Sequence, residues 1–527
     1  MGAPLLARLG SLTGEEASSI RRTLDQSGVE LERLVANGPE LPELDDAERE
    51  ARCEESHRKW RAATQATALR REQAQKDLLA LLGEEVLERV TVEEVAGSLA
   101  PGHVAIGITQ LPRWRWDEET LSASLDGPHY LAHVVLPGGR LHEVDLGPTE
   151  ILDRHVDAWR AALGAPVARG GVGVAATDVP SELEAGRALR RLWIDPLLAA
   201  AGVTEAGATL HLCLDGALFT VPVDALPLEE GAAVPDPIRG DAPRLGDLHR
   251  VRYELSMARL VQPGEDPDAP ASVLAVGGID FDVELAETLP DTRPLARLSS
   301  WGEWERLSGT DAEVSELAHQ ARHHLAVEAE LLRRDEVTEA ALAEAVRGVR
   351  YVHLATHGWF LPEHVKSMLD DEPRGGSRDL LGSRETVTGF APLTLCGLVL
   401  SGANSAGSSA ELSARLLTAQ ELAAFDLSAC ELAVLSACET NVGIARAGQG
   451  IQSLQTALHR AGARTSLTSL WAVRDWPTQS LMKRFYDNLW GERMGKAEAL
   501  WAAKQALRRE GDPALVWAGW VLAGDPD

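Results

Sequence analysis

Two apolar segments of the sequence end in residues that could do chemistry together. Residues 351–360 read Y-V-H-L-A-T-H-G-W-F and place His357 at the end of one predicted strand. Residues 432–443 read L-A-V-L-S-A-C-E-T-N-V-G and place Cys438 at the end of another. A histidine beside a thiol can take its proton or stabilise the thiolate, which activates a cysteine nucleophile. The backbone amides of Gly358 and Cys438 could then bind the oxyanion of a tetrahedral intermediate.

Each of these residues also has a structural interpretation. Free cysteine is among the most buried residue types, so Cys438 could simply be a packing residue. His357 could be a turn residue, and His353, in the middle of the same strand, is predicted to be a core histidine. Three further thiols lie in or beside apolar runs and are predicted to pack there: Cys213, Cys396 and Cys430.

Composition narrows the classes of function. The 527-residue chain has 51 Lys and Arg against 80 Asp and Glu, which gives a formal net charge of −29. Such an acidic surface repels phosphate backbones and anionic lipids, so we expect no direct nucleic-acid partner and no membrane partner. No apolar stretch approaches the roughly 18 residues of a membrane helix, and the N-terminus lacks a signal-peptide core. We therefore predict a cytoplasmic location with reduced thiols.

Metal and nucleotide sites are poorly supported. The five cysteines are too few for a disulfide scaffold, and no pair has CxxC or zinc-ligand spacing. The chain has no GxxxxGK[ST] motif, and the glycines at 170–173 neither follow a strand nor have GxGxxG spacing. We expect no metal and no cofactor.

The elements that must position His357 and Cys438 follow from the periodicity of the chain. Residues 1–95 are charged and helical, residues 96–260 mix strands with helices, and residues 261–527 alternate strands and helices more regularly. This alternation predicts an α/β fold with a mostly parallel sheet flanked by helices. Parallel sheets place functional loops at the carboxyl ends of their strands, where both residues are predicted to lie.

In the third region we expect strands at 272–277, 350–356, 396–401, 431–437, 465–471 and 516–522. Helices are expected there at about 309–324, 337–347, 418–424, 449–462, 477–490 and 495–509. The segment 361–392 has no clear period, and loops of this length in a compact domain are usually functional or mobile. We predict that it gates the site in response to a partner; the alternative is a disordered surface insertion.

Several long motifs, in order, resemble the CHAT family of caspase-like cysteine peptidases, which are relatives of the caspases and separases. The resemblance runs from about Gly102 to the C-terminus and is strongest over 272–525. It rests on the two strand ends above and on G-Q-G-I-Q-S-L at 448–454, A-G-A-R-T-S-L-T-S-L-W-A-V-R-D at 461–475, L-M-K-R-F-Y at 481–486 and W-A-G-W-V-L-A-G at 517–524.

The resemblance implies a caspase-like sheet in which His357 is the general base, Cys438 the nucleophile and Gly358 part of the oxyanion hole. One departure is Thr440-Asn441, where the family often has Thr-Gly. The segment 212–226 is similar to what usually precedes the catalytic half. Residues 96–260 are therefore interpreted as a pseudo-caspase-like half without the dyad, and residues 261–527 as the catalytic half.

Asp475 resembles the acidic position that reads a basic P1 side chain in separases, since a carboxylate in a pocket pairs well with arginine. Its alternative role is a helix N-cap or a loop carboxylate before Trp476 and Pro477.

The function implied is an endopeptidase that cleaves a protein substrate through a thioester. The resemblance also suggests a bacterial defence or cell-death circuit, with an effector substrate such as a gasdermin-like pore former. A protein activator would bind the N-terminal helices or the segment 361–392. The alternative is a catalytically silent interaction scaffold of the same fold.

Overall fold

The computed structural model describes most of the chain beyond residue 89. The described ranges are 90–117, 122–165, 180–261, 270–284, 303–360, 365–367, 387–390, 393, 396–406, 411–412, 414–436, 454–471 and 475–527, with ten isolated positions between 23 and 70. Within them, the side chains of 112–126, 360, 365–367, 387–390 and 475–476 are not described. The isolated early positions are all helical.

The described strands are β1 (His103–Asp117), β2 (Ser122–Leu136), β3 (Arg140–Pro148), β4 (Thr209–Cys213), β5 (Arg250–Tyr253), β6 (Val273–Ile279), β7 (Glu330–Arg334), β8 (Tyr351–Leu354), β9 (Gly358–Phe360), β10 (Val365–Ser367), β11 (Val387–Phe390), β12 (Cys396–Val399), β13 (Leu416–Thr418), β14 (Leu432–Leu435), β15 (Thr465–Ser469) and β16 (Trp520–Gly524).

The described α-helices are α1 (Val92–Ser98), α2 (Thr149–Leu163), α3 (Glu182–Ala201), α4 (Ala258–Val261), α5 (Ser308–Gln320), α6 (Glu339–Ala345), α7 (Ala419–Leu422), α8 (Leu454–Ala461), α9 (Asp475–Tyr486), α10 (Lys496–Glu510) and α11 (Ala514–Trp517). Helices α5 and α9 each continue into a π-helical turn, Ala321–Leu325 and Asp487–Gly491. Three short 3₁₀ turns follow β4, at Gly216–Thr220, Val223–Ala225 and Leu245–Asp247.

Eleven of the described strands form one sheet, in the order β3-β2-β1-β4-β5-β16-β15-β14-β8-β6-β7. The neighbours β1 and β2, β2 and β3, and β15 and β16 are antiparallel, and every other neighbouring pair is parallel. The predicted α/β fold with a mostly parallel, helix-flanked sheet is confirmed.

The main sheet contains strands from two of the predicted regions. Strands β1 to β5 come from residues 96–260, and the remaining six come from residues 261–527. They meet where β16 pairs in parallel with β5, with Ala523 opposite Tyr253. The sheet therefore runs from one region into the other. The boundaries of the three regions stay predictions.

Alternating side chains of the central strands enter two different cores. In β14, Leu432 and Val434 belong to a large core that also contains side chains of α2, α3, α5, α9 and α10. Ala433 and Leu435 belong to a second core with α6, α7, α8 and strand β12. All four side chains are fully buried. Burial on both faces explains why this strand reads as a continuous apolar run.

Two expected strands differ in the structure. The strand predicted at 396–401 is present as β12, but it lies in a separate three-stranded sheet, β13-β12-β9, and is antiparallel to both neighbours. The apolar run at 516–522 begins as helix α11 and becomes β16 only at Trp520. Pro513 is the N-cap of α11, a position near which proline favours a helix start.

Candidate active site

Three neighbouring parallel strands lead to the residues that the sequence singles out. Strand β14 lies between β8 and β15, and Leu435 is opposite Leu354 on one side and Thr468 on the other. The chain continues from β8 to His357, from β14 to Cys438 and from β15 to Asp475. The carboxyl ends of these strands meet at one edge of the sheet, the usual location of sites in open α/β folds.

His357 is half-buried and makes one directional contact through its ring. Its Nε2 lies 2.7 Å from the backbone carbonyl oxygen of Glu305. A carbonyl oxygen only accepts, so Nε2 carries a proton and, in the neutral ring, Nδ1 keeps its lone pair. The rings of Phe281 and Trp304 lie 5.3 and 5.5 Å from the imidazole, centroid to centroid. The imidazole is therefore held by the Glu305 carbonyl and by two aromatic rings, and its Nδ1 is available as a base.

The segment that contacts His357 is itself fixed by Asn404. The Asn404 side chain accepts from the Trp304 amide at 2.8 Å and donates to the Trp304 carbonyl at 3.0 Å. It also donates to Asp282 Oδ1 at 2.8 Å. Because Glu305 follows Trp304 directly, Asn404 positions the carbonyl that orients His357. Sequence reasoning missed Glu305 and Asn404, since they lie far from His357 in the chain, in segments without a regular hydrophobic period.

Gly358 begins strand β9, at the edge of the three-stranded sheet. The Val399 amide donates to the carbonyl of His357 at 2.9 Å, and Gly358 is opposite Leu398 in the next pair. Antiparallel pairs alternate between hydrogen-bonded and non-hydrogen-bonded, so the Gly358 amide points away from β12. Within the described ranges, no strand pairs with the other edge of β9. Among the described strands, the edge to which this amide points is therefore unpaired.

Cys438 lies outside the described residues, as does Cys53. The last described residue before Cys438 is Ser436, which is 7% exposed and donates its amide to the Leu354 carbonyl at 2.8 Å. The backbone therefore follows β8 until two residues before the thiol.

Asp475 is the first residue of α9, and its side chain is not described. Pro477 lies in the same first turn, where its missing amide hydrogen costs nothing. A carboxylate at a helix N-terminus is also favoured by the helix dipole. This placement suits the structural interpretation of Asp475, and the P1 role stays a prediction.

His353 is buried, as predicted, with 1% of its surface exposed. Its Nδ1 lies 3.1 Å from the Tyr486 hydroxyl and its Nε2 lies 3.0 Å from Glu313 Oε1. Burial and the charge of Glu313 raise the pKa of Tyr486 well above its usual value, so this hydroxyl keeps its proton and donates. Nε2–H then donates to the carboxylate. Both nitrogens are satisfied, and His353 has no lone pair left for catalysis.

The three described thiols fit the packing role predicted for them. Cys396 and Cys430 are 2% and 0% exposed. Burial raises the pKa of Cys430 and of Cys213 to about 12, so both stay protonated at neutral pH. A protonated thiol is a poor nucleophile.

In the described part of the chain, no three His, Cys, Asp or Glu side chains are placed to hold a metal ion. The helices described there include none that is both long and apolar enough to cross a membrane.

Solved structures similar to this chain include two protein complexes. The complex of Porphyromonas gingivalis RgpB pro- and mature domains matches with 11% identity and a TM-score of 0.33, covering 72% of this chain and 76% of that one. The Saccharomyces cerevisiae separase–securin complex matches with 10% identity and a TM-score of 0.35. That match covers 96% of this chain but 27% of the other, so this chain corresponds to about a quarter of it.

Among curated protein sequences, none matches this chain. A family model described as the CHAT domain matches residues 183–525. That range is well over half of the chain and includes all three strand ends of the candidate site. The chain belongs to the CHAT domain family.

Proposed function

We propose that this protein is a cysteine endopeptidase that cleaves a protein substrate with His357 as general base and Cys438 as nucleophile. The observation that carries this proposal is the register of β8 and β14. Leu354 and Leu435 are opposite each other in neighbouring parallel strands, and His357 and Cys438 each follow three residues later. Family membership supports a peptidase of this kind.

The spacing favours contact between the two side chains. Neighbouring strands lie about 4.8 Å apart, and two residues of extended chain span at most about 7 Å. Ser436 is hydrogen-bonded to β8, so Cys438 starts from a position beside the strand that leads to His357. Nδ1 of His357 is the nitrogen left to face a thiol, because Nε2 donates to Glu305.

The proposed reaction has two steps. Nδ1 takes the proton of the Cys438 thiol as the sulfur attacks the scissile carbonyl, and the amides of Gly358 and Cys438 bind the oxyanion. The C–N bond then breaks, and the imidazolium returns the proton to the amine that leaves. Water next gives a proton to Nδ1 and attacks the thioester, and the C–S bond breaks to release the acid product. The imidazolium then returns its proton to the sulfur of Cys438, which restores the thiol.

Specificity and control are further parts of the proposal. Asp475 is proposed to bind Arg or Lys at P1, since the chain reaches it from β15, next to the strand of the nucleophile. The substrate is proposed to be a protein effector in a bacterial defence or cell-death circuit in the cytoplasm. An activator would act through residues 1–95 or the segment 361–392. These assignments rest on the family resemblance.

The direct test is covalent labelling with a peptidyl acyloxymethyl ketone that carries arginine at P1. Mass spectrometry of the labelled protein should find the probe on Cys438, and labelling should fall at least a hundredfold in His357→Ala. Cys213→Ala is the matched control, because it removes another thiol near a strand end, and it should label as the wild type does.

If neither the arginine probe nor a counterpart with leucine at P1 labels Cys438, or if His357→Ala leaves labelling unchanged, the dyad is contradicted and an interaction scaffold is favoured. Incubation of the wild type and of Cys438→Ala with a proteome-derived peptide library, read by mass spectrometry, would then show whether any peptide bond is cleaved and identify P1.

A further inference from the structure

A cavity of about 360 Å³ lies between helices α5 and α9. This volume falls in the range of about 300–1,000 Å³ that is typical of small-molecule sites. Helix α5 contributes Ala312, Glu313, Glu316, Leu317 and Gln320 to its lining. Helix α9 contributes Gln479, Ser480, Met482, Lys483 and Tyr486, and strand β8 contributes His353.

The hydrogen-bond donors of this lining are already used inside the protein. Lys483 Nζ donates to Glu316 at 2.8 Å and to Asp487 at 3.1 Å. The Gln320 amide nitrogen donates to the Lys483 carbonyl and to Asp487, both at 2.8 Å. The Gln479 amide nitrogen donates to a backbone carbonyl of α5 at 2.6 Å. A ligand that needs donors would find few here.

Acceptor atoms, in contrast, are left over. Glu313 is a nearly buried carboxylate, its side chain 5% exposed, and only its Oε1 is bound, by His353. Its Oε2, and the side-chain carbonyl oxygens of Gln320 and Gln479, accept no hydrogen bond from the residues that the structure describes. A carboxylate oxygen left unbound in the lining of a cavity is available to a cation or to a hydrogen-bond donor.

The charged residues of the lining also favour a cation. Glu313 and Glu316 are one turn apart on α5 and both line the cavity, whereas Lys483 is the one lysine of the lining and is paired with Glu316. A ligand suited to this lining is a cation with several N–H donors in a fixed geometry. Guanidinium fits best, because it has five donors and no acceptor, so it can reach the one unbound oxygen of Glu313 and the two amide carbonyl oxygens at the same time.

We propose that the cavity between α5 and α9 is a second binding site, for a guanidinium group that Glu313 Oε2 binds with help from the carbonyl oxygens of Gln320 and Gln479. The group can belong to a free small molecule or to an arginine side chain of a polypeptide. The proposal does not depend on the peptidase assignment.

Isothermal titration calorimetry at constant ionic strength tests this with n-butylguanidinium chloride as the probe. We expect saturable binding to the wild type and binding at least about tenfold weaker to Glu313→Gln, which loses a charge-assisted hydrogen bond. Tetramethylammonium, a cation without N–H donors, should not bind. Absence of saturable n-butylguanidinium binding, or equal binding of tetramethylammonium, would overturn the proposal.

Two further variants separate a lost site from a lost fold. Ala312 is exposed at the mouth of the cavity, so Ala312→Phe should block entry without disturbing the core, and binding should again fall at least about tenfold. Glu330→Gln removes an exposed carboxylate on β7, and Ala318→Phe adds the same bulk to α5 outside the lining. These controls should bind as the wild type does, and weakened binding in either would overturn the assignment.

Two questions remain for experiment. One is which kind of molecule carries the guanidinium group, and the other is whether this cavity is distinct from the proposed P1 pocket. If the ligand is an arginine side chain of a polypeptide, the acetylated tripeptide amide Gly-Arg-Gly should bind and its citrulline counterpart should not. If only free small molecules enter, neither peptide should bind. Titrations in Asp475→Ala should give unchanged n-butylguanidinium binding. Loss of binding in Asp475→Ala with retention in Glu313→Gln would place the cation at the peptidase site and overturn this inference, while leaving the peptidase proposal intact.

Discussion

Strands β4 and β8 lie in the same sheet, and each is parallel to both of its neighbours, but the two run in opposite directions because β15 and β16 are antiparallel. Each is followed closely by a polar residue and a glycine. After β4 these are Asp215 and Gly216, and after β8 they are His357 and Gly358. Asp215 is 3% exposed, and its two oxygens accept from the backbone amides of Gln110 and Gly216 at 3.0 and 2.9 Å. His357 is half-buried and has one ring nitrogen bound.

The two glycines show how much room each strand end leaves. A Cβ on Gly216 would lie 1.9 Å from Gln110 Nε2 and 2.5 Å from the Tyr130 hydroxyl, and the residue has φ +60°. The Gly358 amide, in contrast, lies at the open edge of β9. A strand end whose hydrogen bonds are satisfied internally stabilises the sheet but leaves no space for a substrate. We expect changes after β4 to alter stability and changes after β8 to alter turnover.

The largest expected effect tests this contrast directly. His357→Ala should lower turnover by about 10²–10⁴, the usual contribution of a general base, with the melting temperature nearly unchanged. Asp215→Ala should lower the melting temperature and leave kcat of the remaining folded protein unchanged. Steady-state kinetics and thermal unfolding of both variants measure this. Equal losses of turnover would show that the two strand ends do not differ in role.

Tyr130→Phe should lower the free energy of unfolding by about 2–4 kcal/mol, since a buried hydroxyl with several partners disappears. The hydroxyl donates to Asp153 at 2.7 Å and accepts from Gln110 and the Ala217 amide at 2.9 and 3.0 Å. Urea unfolding measures the change. A loss below about 0.5 kcal/mol would mean that this network does not stabilise the strand end.

Asp475→Ala tests the role of a third strand end, that of β15. For substrates with Arg at P1, kcat/KM should fall by the equivalent of about 1.5–3 kcal/mol, as for a charge-assisted hydrogen bond. Substrates with apolar P1 residues should be unaffected. If the residue mapped at P1 is apolar, Asp475 has only its role at the start of α9.

The smallest effect, counted per pH unit, concerns the contact between residues 96–260 and residues 261–527. His459 contacts Arg259 at 3.2 Å and Ser466 at 2.9 Å, and burial, with the charge of Arg259, lowers its pKa to about 3. Below pH 6.5 the unfolded chain therefore binds one more proton than the folded one. His459 should make the free energy of unfolding fall by about 1.4 kcal/mol per pH unit as pH decreases from 6.5 towards 3.

His459→Gln should remove that slope, measured as the difference between the two proteins in urea unfolding at several pH values. Native-state hydrogen exchange near pH 5 should also show the amides of β4 and β14 opening together. Separate opening of the two strands would mean that the halves are independent units.

The residues next to the candidate site could be predicted because their signal is local. Apolar runs ending in His-Gly and Ser-Ala-Cys identify β8 and β14, and the mid-strand position of His353 predicts its burial. Glu305 and Asn404 could not be found in this way, because they reach His357 through loops whose packing depends on the whole fold. The sequence likewise gives no sign that Gln320 and Gln479 share a cavity with Glu313.

Strands with charged residues were also hard to predict. Strand β5 reads R-V-R-Y and strand β7 reads E-L-L-R-R, and neither has the apolar run that marks β6 or β14. Each becomes a strand because a neighbour in the sheet supplies its hydrogen bonds, and that neighbour is distant in sequence. Strand propensity depends on such context.

The position of β16 has a consequence for the timing of synthesis. It pairs with both β5 and β15, yet it follows every other strand of the main sheet in the chain. During translation, at about 5–20 residues per second, β5 waits on the order of tens of seconds for this neighbour. An unpaired strand edge invites wrong partners over that interval. A nascent chain thus cannot complete the sheet beneath the proposed peptidase site until β16 has left the ribosome, which would delay proteolysis until that point.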